Sequence, residues 1–189
     1  MMVSPAFTAF VVTLAIGIAV PRSAHAVATS AFYAGNVSFS SPDGANALGG
    51  TTSLVKRVTN RAKREIVETV YQPPKHEGGS MTAIVTHLKR KGSSNVFEAS
   101  DEGKTFRGTV TFEGPEWKWT RWTYAIDMLA AGEPNGMTVS GEGEISPYAI
   151  KTSKTLSDAN GDATLLVREE LGRVTPAEFE KLKGEMGVR

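Results

Sequence analysis

From Tyr33 onward the chain changes polarity at nearly every second residue, in short runs cut apart by clusters of glycine, asparagine, aspartate and proline. A period of two belongs to a β-strand with one buried face, and the clusters between the runs are turn formers. The runs are Tyr33–Ser40, Thr52–Asn60, Arg64–Gln72, Met81–Lys89, Asn95–Ala99, Phe106–Phe112, Trp117–Met128, Met137–Ile145, Tyr148–Leu156 and Ala163–Val174. About ten antiparallel strands at this spacing predict an all-β sandwich or barrel. Only the end departs from the pattern. Thr175-Pro176-Ala177-Glu178 starts a short C-terminal helix, with Thr as N-cap, Pro at the first helical position and Glu three after the cap. Phe179 and Leu182 fall on one side of that helix. Gly184 is expected to stop it, and the tail 185–189 is expected to fray.

The first 26 residues read differently. Phe7–Val20 is an uncharged apolar run, too short for a transmembrane helix of about 20 residues. Pro21 and Arg22 break it, and Ala24-His25-Ala26 has the form of an A-x-A cleavage site. We read residues 1–26 as a secretory signal peptide, cut before Val27, and residues 27–184 as one domain. The expected location is exported, periplasmic or extracellular. Removing Arg22 leaves 20 basic and 20 acidic residues from the 21 and 20 of the whole chain. A balance near zero argues against nucleic acid as a partner, because phosphate binding draws on a basic excess. Cysteine is absent, which removes disulfides, thiolate metal sites and cysteine nucleophiles together. Such a domain must hold itself with a core, and about 160 residues can bury one.

All three tryptophans stand in EWKWTRWTYAIDM, residues 116–128. In one strand Trp122, Tyr124, Ile126 and Met128 share a face, while Trp117 and Trp119 fall in the opposite phase. A β-bulge near Thr120–Arg121 would re-phase the strand; otherwise Trp117 and Trp119 cap the barrel from outside. Trp122 and Tyr124 are read either as core or as the wall of a ligand cavity.

The sequence TFRGTVTFEGPEWKWTRWTYAIDM, then VSGEGEI, then SDANGDATLLVREELGRVTPAEFE resembles the lipocalin-like, calycin-type barrel domains of exported bacterial proteins of unassigned function. The resemblance covers roughly residues 105–180. It implies an antiparallel up-and-down meander closed into a barrel, and it implies little about activity. The G-x-W signature of classical lipocalins is missing near the first strand, which reads Tyr33-Ala34-Gly35-Asn36-Val37.

Catalytic signatures are absent: there is no G-x-S-x-G, no H-E-x-x-H and no phosphate-binding glycine loop. Calycin barrels can hold haem through one histidine, so His76 and His87 are weighed as axial ligands. No second ligand or metal spacing supports either, and no cofactor or metal is expected. Glu142 and Glu144 flank Gly143 on one face, and the glycines at 141 and 143 suggest a tight interior with solvated glutamates outside. In the last strand Arg168 and Glu169 lie on opposite faces, so whichever face is interior carries a charge. A buried charge is paired or serves a site, and Arg168 is taken as a candidate ligand contact with Trp122, Tyr124, Phe106 and Val110.

In an up-and-down meander alternate turns share an end. Arg61, Lys63, Arg64, Lys89, Arg90 and Lys91 would gather at one end, and Asp43, Glu77, Asp101, Glu102, Glu133, Asp158 and Asp162 at the other. Three functional readings follow. One is a binding module for a small apolar or amphipathic ligand. The second is an envelope-associated protein with a filled core, whose basic end contacts anionic lipid or polysaccharide. The third is an enzyme, which the missing signatures disfavour and which an interior Arg–carboxylate–Tyr group in a roomy cavity would favour.

Overall fold

The computed structural model describes residues 28–73 and 82–187. The segment 1–26 that the sequence suggests is a signal peptide, together with His76, Glu77 and the final residues 188–189, lies outside the described residues. The elements are β1 (Thr29–Ser40), β2 (Ala47–Asn60), β3 (Glu65–Gln72), β4 (Thr82–Arg90), β5 (Val96–Ser100), β6 (Phe106–Glu113), β7 (Arg121–Ala130), β8 (Glu133–Ile145), β9 (Ala149–Ser157), β10 (Ala163–Val174) and α1 (Pro176–Glu185). Each strand pairs antiparallel with its sequence neighbours, and β10 pairs with β1 to close a ten-stranded barrel. Closure leaves no free sheet edge.

The alternation is what chooses the inward face. Tyr33 and Val37 of β1, Val55 of β2, Ile66 of β3, Leu88 of β4, Ala99 of β5, Val110 of β6, Trp122 of β7, Ile150 of β9 and Leu171 of β10 are all buried. A slip of one residue in any strand would exchange this set for its polar neighbours. Charges on the outer face fix the register further. Glu113, Arg121, Glu144, Lys151 and Glu170 stand opposite one another across five strands. Arg121 Nη2 meets Glu144 at 3.0 Å, and Lys151 Nζ meets Glu170 at 3.1 Å. Such exposed pairs contribute only about 0–1 kcal/mol each, but the alternation of sign opposes slippage.

Gly141 and Gly143 of β8 lie under the large rings of β7. A Cβ on Gly143 would fall 2.3 Å from Trp122 Cζ2, and one on Gly141 would fall 2.8 Å from the Tyr124 hydroxyl. Gly143 leaves the space the indole occupies, and Gly141 lies against both the phenol and the Ser153 carbonyl oxygen, which a Cβ would meet at 2.3 Å, while Glu142 and Glu144 stay exposed outside.

The aromatic segment contains no bulge at Thr120–Arg121. β7 begins at Arg121, and residues 114–120 fold as an irregular connection over the end of the barrel. Trp117 takes a left-handed backbone, φ 60°, and the two indoles pack inward rather than outside. Trp119 stacks on Phe112 with ring centroids 4.5 Å apart, and Phe97 meets Trp119 edge-on at 5.3 Å. This plug closes the end at which β2 turns into β3 and β4 into β5.

The helix starts at the expected capping box: the Thr175 side chain accepts from the Glu178 backbone, and Glu178 accepts from the Thr175 N–H at 2.8 Å. Phe179 is its buried residue, held between Phe32 at 5.0 Å and Tyr71 at 5.9 Å on the outer face of the barrel. Gly184 does not stop the helix, which runs on to Glu185. Gly187, with φ 79°, takes the left-handed position after the Met186 cap instead.

Candidate functional site

Beyond the plug the barrel is not filled. A cavity of about 330 Å³ occupies the interior. Its lining reaches Gln72, Ile84, Met128 and Val139, at the end where β3 and β7 finish and β4 and β8 begin. Trp122, Tyr124, Phe106 and Val110 all line it, each brought there by the inward phase of β6 or β7.

Arg168 does not join them. It is exposed on the outer face of β10, because the inward phase of that strand is Leu165, Val167, Glu169 and Leu171. Arg168 lies instead along an outer concavity of about 530 Å³ with Glu142, Glu144 and Lys151. That hollow is larger than the interior one, but its floor is the charge ladder, whose members already pair with one another in solvent. The interior cavity has a lining that is mostly apolar with a few polar groups converging on it, and it is the better site.

The interior charge on β10 is Glu169, and it is one of four. Arg57 and Glu68 stand directly opposite across β2 and β3. Arg57 Nε donates to Glu68 Oε1 at 2.6 Å. The guanidinium also lies 5.5 Å from the centre of the Trp122 ring, so it reaches across the barrel. On the β9–β10 wall Lys154 Nζ donates to Glu169 Oε1 at 2.6 Å, and the Thr152 hydroxyl donates to Glu169 Oε2 at 2.6 Å. All five side chains line the cavity.

Energetics explain why these pairs are informative. Desolvating two charges costs several kcal/mol per ion, and a buried pair is commonly replaceable by apolar residues with a gain of about 1–4 kcal/mol. The Arg57–Glu68 and Lys154–Glu169 pairs are partly withdrawn from solvent and bear part of that cost, so they are poor devices for holding a barrel together. They are suited to presenting polar groups to something inside it.

Tyr124 stands out among these groups. Its hydroxyl is buried and has no hydrogen-bond partner among the described residues. Burial first, then the Glu169 and Glu68 carboxylates, push its pKa well above the ordinary phenol value, so the group is a neutral O–H at any physiological pH. Neither carboxylate accepts its proton, so no proton relay is formed. Trp119 Nε1 in the plug and Ser53 Oγ are also buried without a partner among the described residues.

His87 points outward, with Nδ1 3.3 Å from Glu65 Oε1. The inward residues of β4 are Ile84, Thr86 and Leu88, so a haem inside the barrel would not meet His87. Among the described residues no group of three or more His, Cys, Asp or Glu side chains could hold a metal ion.

Of the basic set, Arg61, Lys63, Arg64, Lys89 and Lys91 are exposed, and Lys91 pairs with Glu98 at 3.4 Å. Arg90 is turned inward instead, its side chain 5 % exposed. It donates to the Ser94 carbonyl at 2.6 Å and the Ser93 carbonyl at 2.9 Å, pairs with Glu116, and lies 5.8 Å from the Trp117 ring. It ties the plug to the barrel and is not a surface contact. At the opposite end Asp43, Asp101 and Asp158 accept backbone N–H groups of their own turns. The acidity of that end therefore owes much to turn construction.

The chain matches no protein-family model and no curated protein.

Proposed function

We propose that this protein is an exported, lipocalin-like binding module for a small amphipathic ligand held inside the barrel. The observation that carries the reading is the cavity of about 330 Å³ with a polar wall of Arg57, Glu68, Lys154, Glu169 and Tyr124. Its volume lies at the lower end of the range for small-molecule sites. The apolar run Phe7–Val20 and the A-x-A sequence before Val27 support the exported location. A filled core docking through a basic end is the weaker reading, since the interior is hollow and Arg90 belongs to the plug. The interior Arg–carboxylate–Tyr group is the feature that would favour an enzyme. Without a base accepting from the Tyr124 hydroxyl, we read it as a recognition group.

The test is a fluorescence titration of the folded barrel with an apolar dye and a panel of medium-chain lipids. Binding should change the emission of Trp122, saturate, and be lost in Ala99→Leu, which puts bulk into the cavity from β5. A panel without any saturable response would sink the reading.

A further inference from the structure

The polar wall also specifies which kind of amphiphile fits, given that the cavity is a ligand site. Each interior cation already faces a carboxylate at 2.6 Å, Arg57 on Glu68 and Lys154 on Glu169. The four formal charges cancel. Both oxygens of Glu169 are engaged, one by Lys154 and one by Thr152. A ligand bringing a net charge would have to bury it in a cavity with no uncompensated counter-charge, which is costly.

The Tyr124 hydroxyl has the opposite need. It is a neutral donor, buried and without an acceptor among the described residues, and a buried polar group left this way favours whatever ligand supplies the missing partner. A neutral oxygen would satisfy this donor without bringing a charge into the cavity, whereas an anionic oxygen would add one that the two closed pairs do not balance. From Tyr124 the inward face of β7 continues through Ile126 and Met128 to the rim, with Val110 and Val139 on the flanking strands. That is an apolar track leading from the donor to the mouth.

We propose that the barrel takes an uncharged amphiphile, with a carbonyl-type oxygen seated on the Tyr124 hydroxyl and the alkyl body along Ile126, Val139 and Met128, and that it discriminates against the carboxylate of the same chain.

The experiment compares four probes of one chain length, a medium-chain methyl ketone, primary alcohol, carboxylate and primary amine, at neutral pH. Dissociation constants are read by displacement of an apolar dye. In the unaltered protein the ketone and alcohol bind about tenfold or more tightly than the carboxylate and the amine. Tyr124→Phe, an isosteric change that removes a hydroxyl with no partner among the described residues, leaves the fold intact and weakens the ketone about five- to tenfold, leaving the carboxylate unchanged. Glu169→Gln leaves the Lys154 charge uncompensated and raises carboxylate affinity. If Glu169→Gln does not fold, the ketone-to-carboxylate ratio in Tyr124→Phe decides. Carboxylate or amine binding as tight as ketone binding, or a ketone affinity untouched by Tyr124→Phe, overturns the proposal and leaves the cavity reading standing. Failure of all four probes, with the dye also silent, overturns both.

Discussion

Replacing Gly143 by alanine tests the link from one strand residue to the cavity. Gly143 stands opposite Trp122 in the β7–β8 register, and a Cβ there would lie 2.3 Å from Cζ2 and 2.4 Å from Cε2 of the indole. Carbon atoms prefer a separation of about 3.5–4.0 Å, so the ring must move by roughly 1 Å or more, toward Arg57 and the cavity. Overpacking of this kind costs about 2 kcal/mol. Alanine in place of glycine in a strand returns about 0.5–1 kcal/mol. The net loss is about 1–1.5 kcal/mol, which for a domain of this size lowers Tm by roughly 2–6 °C. Gly172→Ala is the matched control, because the nearest atom to its Cβ, the Ala34 carbonyl oxygen, is 3.9 Å away. That variant should melt at the same temperature or slightly higher. Thermal denaturation followed by circular dichroism reads both, and tryptophan emission reports the displaced ring in Gly143→Ala. Equal loss in the two variants would refute the reasoning: the strands, and not the indole, would then be what demands glycine.

Three further outcomes follow from the same packing. Phe179→Ala should cost about 3 kcal/mol, a fall of roughly 6–12 °C, because it empties the contact between Phe32 and Tyr71 that holds the helix on the barrel; truncation after Gly184 should cost less than about 1 kcal/mol, and the two melts are compared directly. Arg90→Ala should loosen the plug and shift tryptophan emission to the red as Trp117 and Trp119 meet water, whereas Lys91→Ala, altering an exposed pair, should leave the spectrum unchanged. Burial raises the Asp101 pKa, but hydrogen bonds from the Thr105 hydroxyl and from the backbone of Thr105, Phe106 and Lys104 outweigh it and leave the group below its ordinary value of 3.8. The folded chain then binds this proton more weakly than the unfolded chain, so the contribution is complete above pH 3.8 and lost as pH falls through the lower folded value. Acid unfolding curves of Asp101→Asn should therefore flatten in that window; an unchanged slope would count against the turn as its source.

Much of the fold was legible because period two is a strong constraint when one face is buried. The Ala163–Val174 run matches β10 at both ends, and the capping box at Thr175 placed the helix start. The tryptophan segment was misread at its beginning for a physical reason. Trp117 and Trp119 have the spacing and chemistry of a strand, and nothing local announces the left-handed turn at Trp117; the packing of both rings on Phe97, from β5, and of Trp119 on Phe112 goes with that conformation. The phase of β10 was ambiguous for a different reason. Leucines stand on both of its faces, Leu165 and Leu171 on one and Leu166 on the other, so hydrophobicity alone does not say whether Arg168 or Glu169 is inside.

The interior ion pairs were missed, although a signal for them exists. Arg57 continues the buried phase of Ser53 and Val55, Glu68 sits between Ile66 and Val70, and Lys154 follows Ile150 and Thr152. A charged residue in the apolar phase of a strand is an anomaly when strands are read singly. It becomes a prediction when the hairpin is folded in the mind. Asn60 pairs with Glu65 across the β2–β3 turn, so counting outward from the turn brings Arg57 onto Glu68 with opposite charges on the same face. On the β9–β10 hairpin the ladder sets Thr152 opposite Glu169 with Lys154 diagonal to it, but there a register shift between Ala163 and Leu165 intervenes, and a bare count from Ser157–Ala163 would bring Thr152 onto Arg168 instead. Opposite charges that meet in the inward phase of two separate hairpins are hard to reconcile with a solid hydrocarbon core, since each pair carries an unrecovered desolvation cost. They fit a barrel whose interior has room for a polar guest. The hollow interior was thus encoded in the sequence as pairs rather than as single residues, and register arithmetic, not residue hydropathy, is the step that exposes it.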